Sequence, residues 1–332
     1  MAVFAIRRVL NQLPLCVAIL LLLGLMTVGS VQAEEKVTLV EVLEKHRQAT
    51  FIDVGKYVDE HPDADDLESA YFHLFREGLM HDMEVQAAPY AESYLKRKDQ
   101  NPAMSNLAQR VRCMSFATEG DFEEAFAVFE SLLSQARPQS ADAMLSLGFV
   151  LASKARFANK VGISRDIYEQ LSAKFPFNQK VTRMVQTGLI KHDLLDKPAP
   201  QIGVRDMEGK LIEWEQYKGK VVLVDFWATW CGPCIEEMPN LKKTYADLHD
   251  KGFEIIGINR DEDSEQVKAF LKTAGMKWPQ ILDKIDEFNL DKKFDAVMLP
   301  STYLVDRNGI LVQFDMRGAE IRTQVEQLLK KK

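Results

Sequence analysis

Two cysteines set between an apolar run and an amphipathic one constrain this chain more than any other feature. Residues 225–234 read Asp-Phe-Trp-Ala-Thr-Trp-Cys-Gly-Pro-Cys, with Val221 to Phe226 ahead of the thiols and Ile235 to Leu248 behind them. The pattern predicts a strand, a tight turn and a helix start, with both thiols on the turn. A thiol there faces unpaired backbone N–H groups and the positive end of the helix dipole, which favour thiolate over thiol. Only the thiolate attacks a disulfide. A cysteine with a pKa of ~8.5 is roughly 3% ionised at neutral pH, and one with a pKa of ~7 is about half ionised. Placement alone therefore changes the abundance of the reactive form by about tenfold.

The chain has 332 residues, enough for two domains. Hydrophobic residues make up 46% and charged residues 27%, a mix that can bury a core. The formal net charge of −7 argues against nucleic acid or an anionic membrane surface as partner. Arg7 and Arg8, then the apolar Leu13 to Val28, then Val31-Gln32-Ala33, predict an export signal over residues 1–33. If retained, the same segment would be a membrane anchor, although its apolar core is short for a full span. Cys16 lies inside the apolar run, which speaks against a lipid attachment site. Cleavage would leave Cys113, Cys231 and Cys234, too few for a disulfide-stapled scaffold.

Residues 35–190 are expected to be helical throughout, since apolar residues recur three and four apart. A repeat runs through them. Gly78, Cys113 and Gly148 are spaced by 35 residues, Tyr94, Phe129 and Tyr168 follow them, and Pro102, Pro138 and Pro176 end each unit. Such a period signals stacked helix pairs and resembles tetratricopeptide repeats; a generic helical bundle is the plainer alternative. Small residues let paired helices approach, aromatics fill the next layer, and prolines stop the second helix. Cys113 occupies a small-residue slot and reads as a buried structural thiol.

Residues 191–199, with Pro198 inside and Pro200 at the border, read as a linker to a second domain over 200–332. In that domain Gln201–Asp206 and Lys210–Trp214 flank a hairpin turn, and Val221–Phe226 is a buried central strand. A helix is expected over Pro233–Leu248, a strand over Phe253–Asn259, and a helix over Ser264–Thr273 capped by Ser264. A short strand over Trp278–Leu282 and a helix over Asp286–Phe294 follow. Thr302–Val305 and Ile310–Phe314 form a second hairpin around Asp306-Arg307-Asn308-Gly309, and Ala319–Leu329 closes as a helix. The class is α/β with a mixed central sheet flanked by helices, preceded by an all-α region.

A lone Cys-x-x-Cys has three readings: metal ligand, structural disulfide or redox couple. Zinc needs two further ligands, and His249 is the one extra candidate in this half, so no metal and no organic cofactor are expected. A bracing disulfide across so short a loop would constrain little of the unfolded chain. Strand-before, helix-after placement favours redox cycling.

Residues 224–234 resemble the active-site segment of thioredoxin-fold proteins, Pro239 matches that family's helix-kinking proline, and Leu299-Pro300-Ser301-Thr302-Tyr303 resembles its cis-proline segment. Lys197-Pro198-Ala199-Pro200, the Gly209 hairpin and Glu237-Met238-Pro239 narrow the resemblance to the TlpA/ResA group of exported thiol–disulfide oxidoreductases. The resemblance covers about residues 197–332. It implies that Cys231 is the attacking thiolate and Cys234 the resolving thiol, and that the Cys231–Cys234 disulfide is the redox centre. It implies that Trp230 shields the pair and that Gly232 and Pro233 set turn geometry and potential. It implies a cis Pro300 that presents the backbone of Leu299 to an extended substrate. Asp225 would lie beneath Cys234 and take its proton through water, unless it is only a polar residue satisfied by nearby backbone. Trp227 reads as core, and Glu237 as either a first-turn acid on the helix dipole or a group tuning the cysteines. The strand Phe253–Asn259 lacks the lysine that accompanies the buried aspartate in thioredoxins.

The expected activity is reduction of protein disulfides outside the cytoplasm, in a bacterial periplasm, with an upstream thiol protein as electron donor. The helical half would bind a partner or the substrate. Two alternatives stand beside this. One is a helical-repeat adaptor whose redox half is secondary. The other is a peroxiredoxin-like peroxidase, disfavoured because Ala228, not threonine, lies three residues before Cys231.

Overall fold

The computed structural model describes residues 38–284 and 288–331, so the expected export signal lies outside the described residues. The chain falls into two compact units, Met1–Lys56 and Tyr57–Lys332. Thr38 and Glu41, which belong to the first, open helix α1 (Leu39–Glu60) with a reciprocal cap: the Glu41 N–H donates to Thr38 Oγ1 at 3.2 Å and the Thr38 N–H to Glu41 Oε2 at 2.7 Å. No described helix is long and apolar enough to cross a membrane.

The second unit begins with helices that pair along the chain: α2 (Leu67–Met80) with α3 (Glu84–Leu95), α4 (Pro102–Glu119) with α5 (Phe122–Gln135), and α6 (Ala141–Phe157) with α7 (Val161–Lys174). Helix α8 (Gln179–Leu194) follows. The small residues with the 35-residue spacing sit where each pair closes. A Cβ at Gly78 would lie 2.8 Å from Ala87, and one at Gly148 would lie 2.8 Å from Leu171 and 3.1 Å from Phe129. Between them, the Cys113 thiol donates to the Ala125 carbonyl at 3.3 Å. Cys113 is fully buried and its burial pushes the thiol up to about 12, which makes it inert packing. Tyr94, Phe129 and Tyr168 are buried on the second helix of each pair. Two of the three prolines do more than stop a helix: Pro102 is the first residue of α4, and Pro138 opens a 3₁₀ turn ahead of α6.

The segment 191–199 is ordered. Lys191 to Leu194 finish α8, and β1 (Lys197–Pro198) pairs antiparallel with β8 (Ile310–Phe314). The sheet order is β1-β8-β7-β4-β5-β6, with β4 (Val221–Trp227) central. Strands β5 (Phe253–Asn259) and β6 (Gln280–Leu282) run parallel to β4, and β7 (Ser301–Val305) runs antiparallel. Every residue of β4 and β5 is buried, as near-continuous apolar strands covered on both faces should be. One core cluster joins Val222, Val224, Ile256 and Tyr303; the other face carries Leu223, Ile255, Leu241 and Val325. Helices α9 (Gly232–Leu248), α10 (Ser264–Ala274) and α12 (Ala319–Lys330) flank the sheet. This is the expected thioredoxin-like half, with its mixed sheet, behind an all-helical half.

Three details differ from expectation. The first hairpin is only β2 (Val204–Arg205) against β3 (Leu211–Ile212), because Trp214–Tyr217 turns into a 3₁₀ helix. The cap of α10 is Asp263, not Ser264: its carboxylate accepts from the N–H groups of Glu265 and Gln266. Helix α11 is only Leu290–Lys293, because Asn289 adopts a left-handed conformation at φ 55°; Asp286 lies outside the described residues.

Candidate active site

The thiol pair sits where central strand β4 hands over to α9. Cys231 is the N-cap of α9, with extended backbone, and its sulfur accepts from the Cys234 N–H at 3.3 Å. A cap sulfur in that position faces the unpaired N–H groups of the first turn, as the sequence pattern requires. Cys231 and Cys234 are joined in a disulfide, with Cα atoms 5.3 Å apart. Both are nearly buried at 5% and 3% exposure, whereas Trp230 beside them is 66% exposed. Gly232 and Pro233 form the first residues of α9, and Pro239 lies inside the helix.

The Leu299–Pro300 peptide bond is cis. Leu299 packs against the cluster that contains both cysteines, Trp227 and Met238. Trp230, Val297 and Leu299 line one surface groove together with Arg260, Glu262 and Gln266. Trp227 is fully buried core, and its indole N–H donates to Gln280 Oε1 at 2.8 Å.

Asp225 is buried in β4, facing Gly257 on one neighbouring strand and Thr302 on the other. Burial pushes its carboxyl up to about 7; the Arg317 guanidinium pulls it down and the Glu237 charge adds to the rise. The cation that acts on this carboxyl is thus an arginine from beyond β8, and β5 carries no lysine. Glu237 is not in the first turn of α9, which removes the helix-dipole reading. Its two oxygens accept from the Gly318 N–H at 3.1 Å each, fastening α9 to the turn before α12.

Three groups around the site carry no mark in the sequence pattern. Buried Asp261 accepts from the Thr229 N–H at 2.9 Å, from the Thr229 hydroxyl and from Asn259 Nδ2 at 2.7 Å, so it fixes the approach to Cys231. Arg317 donates to the Pro300 carbonyl, and at 3.1 Å to the Met316 carbonyl. Lys191 of α8 reaches Ser301, the residue after the cis proline, at 3.0 Å. An acid two residues past β5 is the one available signal for Asp261; no spacing in the chain announces the other two. Among the described residues no group of three or more His, Cys, Asp or Glu side chains is placed to hold a metal, and His249 stays apart from the cysteines, facing Phe253 and Glu254.

A dithiol–disulfide couple at a helix N-terminus, an exposed tryptophan, a neighbouring cis-proline segment and a proton-binding carboxyl suit thiol–disulfide exchange. Comparison with known proteins agrees. The AhpC/TSA family model matches residues 195–314. A thiol-disulfide oxidoreductase ResA of Bacillus thuringiensis is 39% identical over 137 residues, which are 41% of this chain and 78% of that protein. ResA of Bacillus subtilis is 37% identical over 115 residues, 35% of this chain and 63% of that protein. The solved thioredoxin domain of a Bacteroides vulgatus thiol-disulfide oxidoreductase has 34% identity, covering 41% of this chain and 98% of that one, with a TM-score of 0.39 that is too low to carry weight. Since the first of these matches takes in more than three quarters of the relative's own length, the chain belongs to the family of ResA-like thiol–disulfide oxidoreductases.

Proposed function

We propose that this oxidoreductase reduces disulfides of protein substrates outside the cytoplasm. The observation that carries this reading is the Cys231–Cys234 couple at the start of α9, beside the cis Leu299–Pro300 bond. In the reduced enzyme the Cys231 thiolate attacks a substrate disulfide, forms a mixed disulfide and expels the first substrate thiolate. Cys234 gives up its proton, with Asp225 as acceptor, and attacks Cys231 Sγ. The second substrate thiolate leaves and takes up a proton, and the Cys231–Cys234 bond closes. Two electrons have passed to the substrate, and an upstream dithiol protein returns them.

Trp230 and the backbone of Leu299, presented by Pro300, receive the substrate chain in this scheme, and Gly232-Pro233 favours a reducing couple. Potentials open to the fold run from about −270 mV for thioredoxin to about −120 mV for DsbA, and this protein belongs toward the reducing end. Export to a periplasm follows from the reading of residues 1–33, and partner or substrate binding by the helical repeats from their stacked pairs. The helical domain is taken as 35–190, carried on by α8 to Leu194, and the redox domain as 200–332, with β1 added at its sheet edge. Peroxide reduction is disfavoured by Ala228 three residues before Cys231, and the Thr229 hydroxyl is committed to Asp261.

The test is insulin reduction by the full chain, its reduction potential, and capture by Cys234→Ser. Turnover with a potential toward the thioredoxin end, and mixed disulfides on Cys231, are expected. A potential near that of DsbA, or fast saturable peroxide consumption without insulin turnover, would overturn the assignment. Partner capture that survives Cys231→Ser would favour the adaptor reading.

A further inference from the structure

Lys191 stands in the last turn of α8 and is 1% exposed. An ammonium group so buried persists only if it is paired and its donors are used. Its Nζ lies 2.8 and 2.9 Å from the two Asp315 oxygens and 3.0 Å from Ser301 Oγ, which accounts for all three donors. It also sits 5.4 Å from the centre of the Tyr303 ring.

The Ser301 contact is the informative one. The ion pair with Asp315 alone would suffice to hold α8 against the turn after β8. The third donor goes instead to the residue that follows the cis proline. Ser301 Oγ in turn donates to the Met298 carbonyl at 2.8 Å. A chain of hydrogen bonds thus runs from Lys191 through Ser301 to Met298 and closes the loop around the cis bond. Arg317 holds the Pro300 carbonyl of the same segment. Met298 and Val297 are exposed at this loop, and Leu299 packs beside the cysteines. The charge on Lys191 polarises the Ser301 hydroxyl and strengthens its bond to Met298.

We propose that Lys191 is a positioning residue for the substrate-receiving segment Met298–Pro300, so that the helical half sets the affinity for disulfide-bonded polypeptides without touching either sulfur. This rests on the reading of Pro300 given above. The backbone of an extended substrate pairs with a segment whose conformation is fixed from behind by α8. Loss of the brace weakens substrate docking and leaves the thiol chemistry alone.

The experiment is steady-state insulin reduction by the full chain, with the Cys231–Cys234 potential measured in parallel. Ser301→Ala cuts the brace but keeps the Lys191–Asp315 pair, and its unfolding midpoint is measured beside the wild type so that a docking defect is read on folded protein. It should raise KM about five- to tenfold with kcat within about twofold and an unchanged potential. Lys191→Met should do the same, and the double variant should be no worse than either single one. If Lys191→Met does not fold, Lys191→Arg, which keeps the charge and displaces the Ser301 bond, takes its place. A wild-type KM in Ser301→Ala, effects of the two substitutions that add, or an equal fall in kcat with a shifted potential would each overturn the proposal. If the wild-type protein itself leaves insulin unreduced, the functional reading fails instead, a result distinct from any of these.

Discussion

Asp225 is the residue whose environment does most to set the behaviour of the site. Its carboxyl rises on folding from 3.8 to about 7, so the folded chain holds this proton more tightly than the unfolded chain does. Stability from this group is therefore fully present below the unfolded value and is lost as pH rises from about 4 through about 7. The whole effect is roughly 4 kcal/mol. Asp225→Asn should remove that slope: denaturant unfolding of the oxidised protein at about pH 5 and about pH 8 should differ less in the variant than in the wild type. An equal difference in both would assign the slope to another group. On the proposed role of Asp225 as acceptor of the Cys234 proton, the same variant should accumulate mixed disulfide on Cys231 and resolve it roughly 10²-fold more slowly in a stopped-flow assay.

At the scale of elements, Gly257 shows how a strand makes room for its neighbour. A Cβ there would overlap the Gln280 carboxamide oxygen, the atom that accepts from the Trp227 indole. Gly257→Ala should expel that side chain and cost about 1–3 kcal/mol, read as a lower unfolding midpoint with altered tryptophan emission. Asp263→Ala should remove the cap of α10 and cost about 1 kcal/mol in the same assay. The elements themselves are largely legible in the sequence, since β4, α9 and β5 each carry a continuous pattern of their own. What escapes is decided by single residues or by distant ones. The left-handed Asn289 shortens α11, and neighbouring Asp263 outcompetes Ser264 for a cap. Around the cysteines, the pair and the cis proline are readable because each lies in one local motif. Asp261, Arg317 and Lys191 reach the site only through chain folding, so no local spacing records them.

For the molecule as a whole, the decisive contact is Arg156 of α6. It is wholly buried, donates at 2.7 Å to both Gln313 Oε1 and the Phe314 carbonyl, and stacks 3.8 Å from the Phe314 ring centre. Together with Lys191 it joins the helices from Tyr57 onward to the β7–β8 end of the sheet within one compact unit. Two-state coupling is the expected result. All four tryptophans lie in the α/β half, at 214, 227, 230 and 278, so their fluorescence reports that half while circular dichroism is dominated by the helices. The two transitions should coincide in the wild type. Arg156→Met strands two buried acceptors, should cost about 2–4 kcal/mol, and should separate the two curves. Coincident curves in the variant would show that the junction does not depend on this arginine.

Strand β1 is two residues long, yet its position gives it a protective task. With the flanking bonds from Asp196 to Leu311 and from Ala199 to Gly309, it shields the outer rim of β8. A fragment trimmed to begin at Pro200 would bare that rim and the Phe314 ring together, offering a template onto which further copies could polymerise.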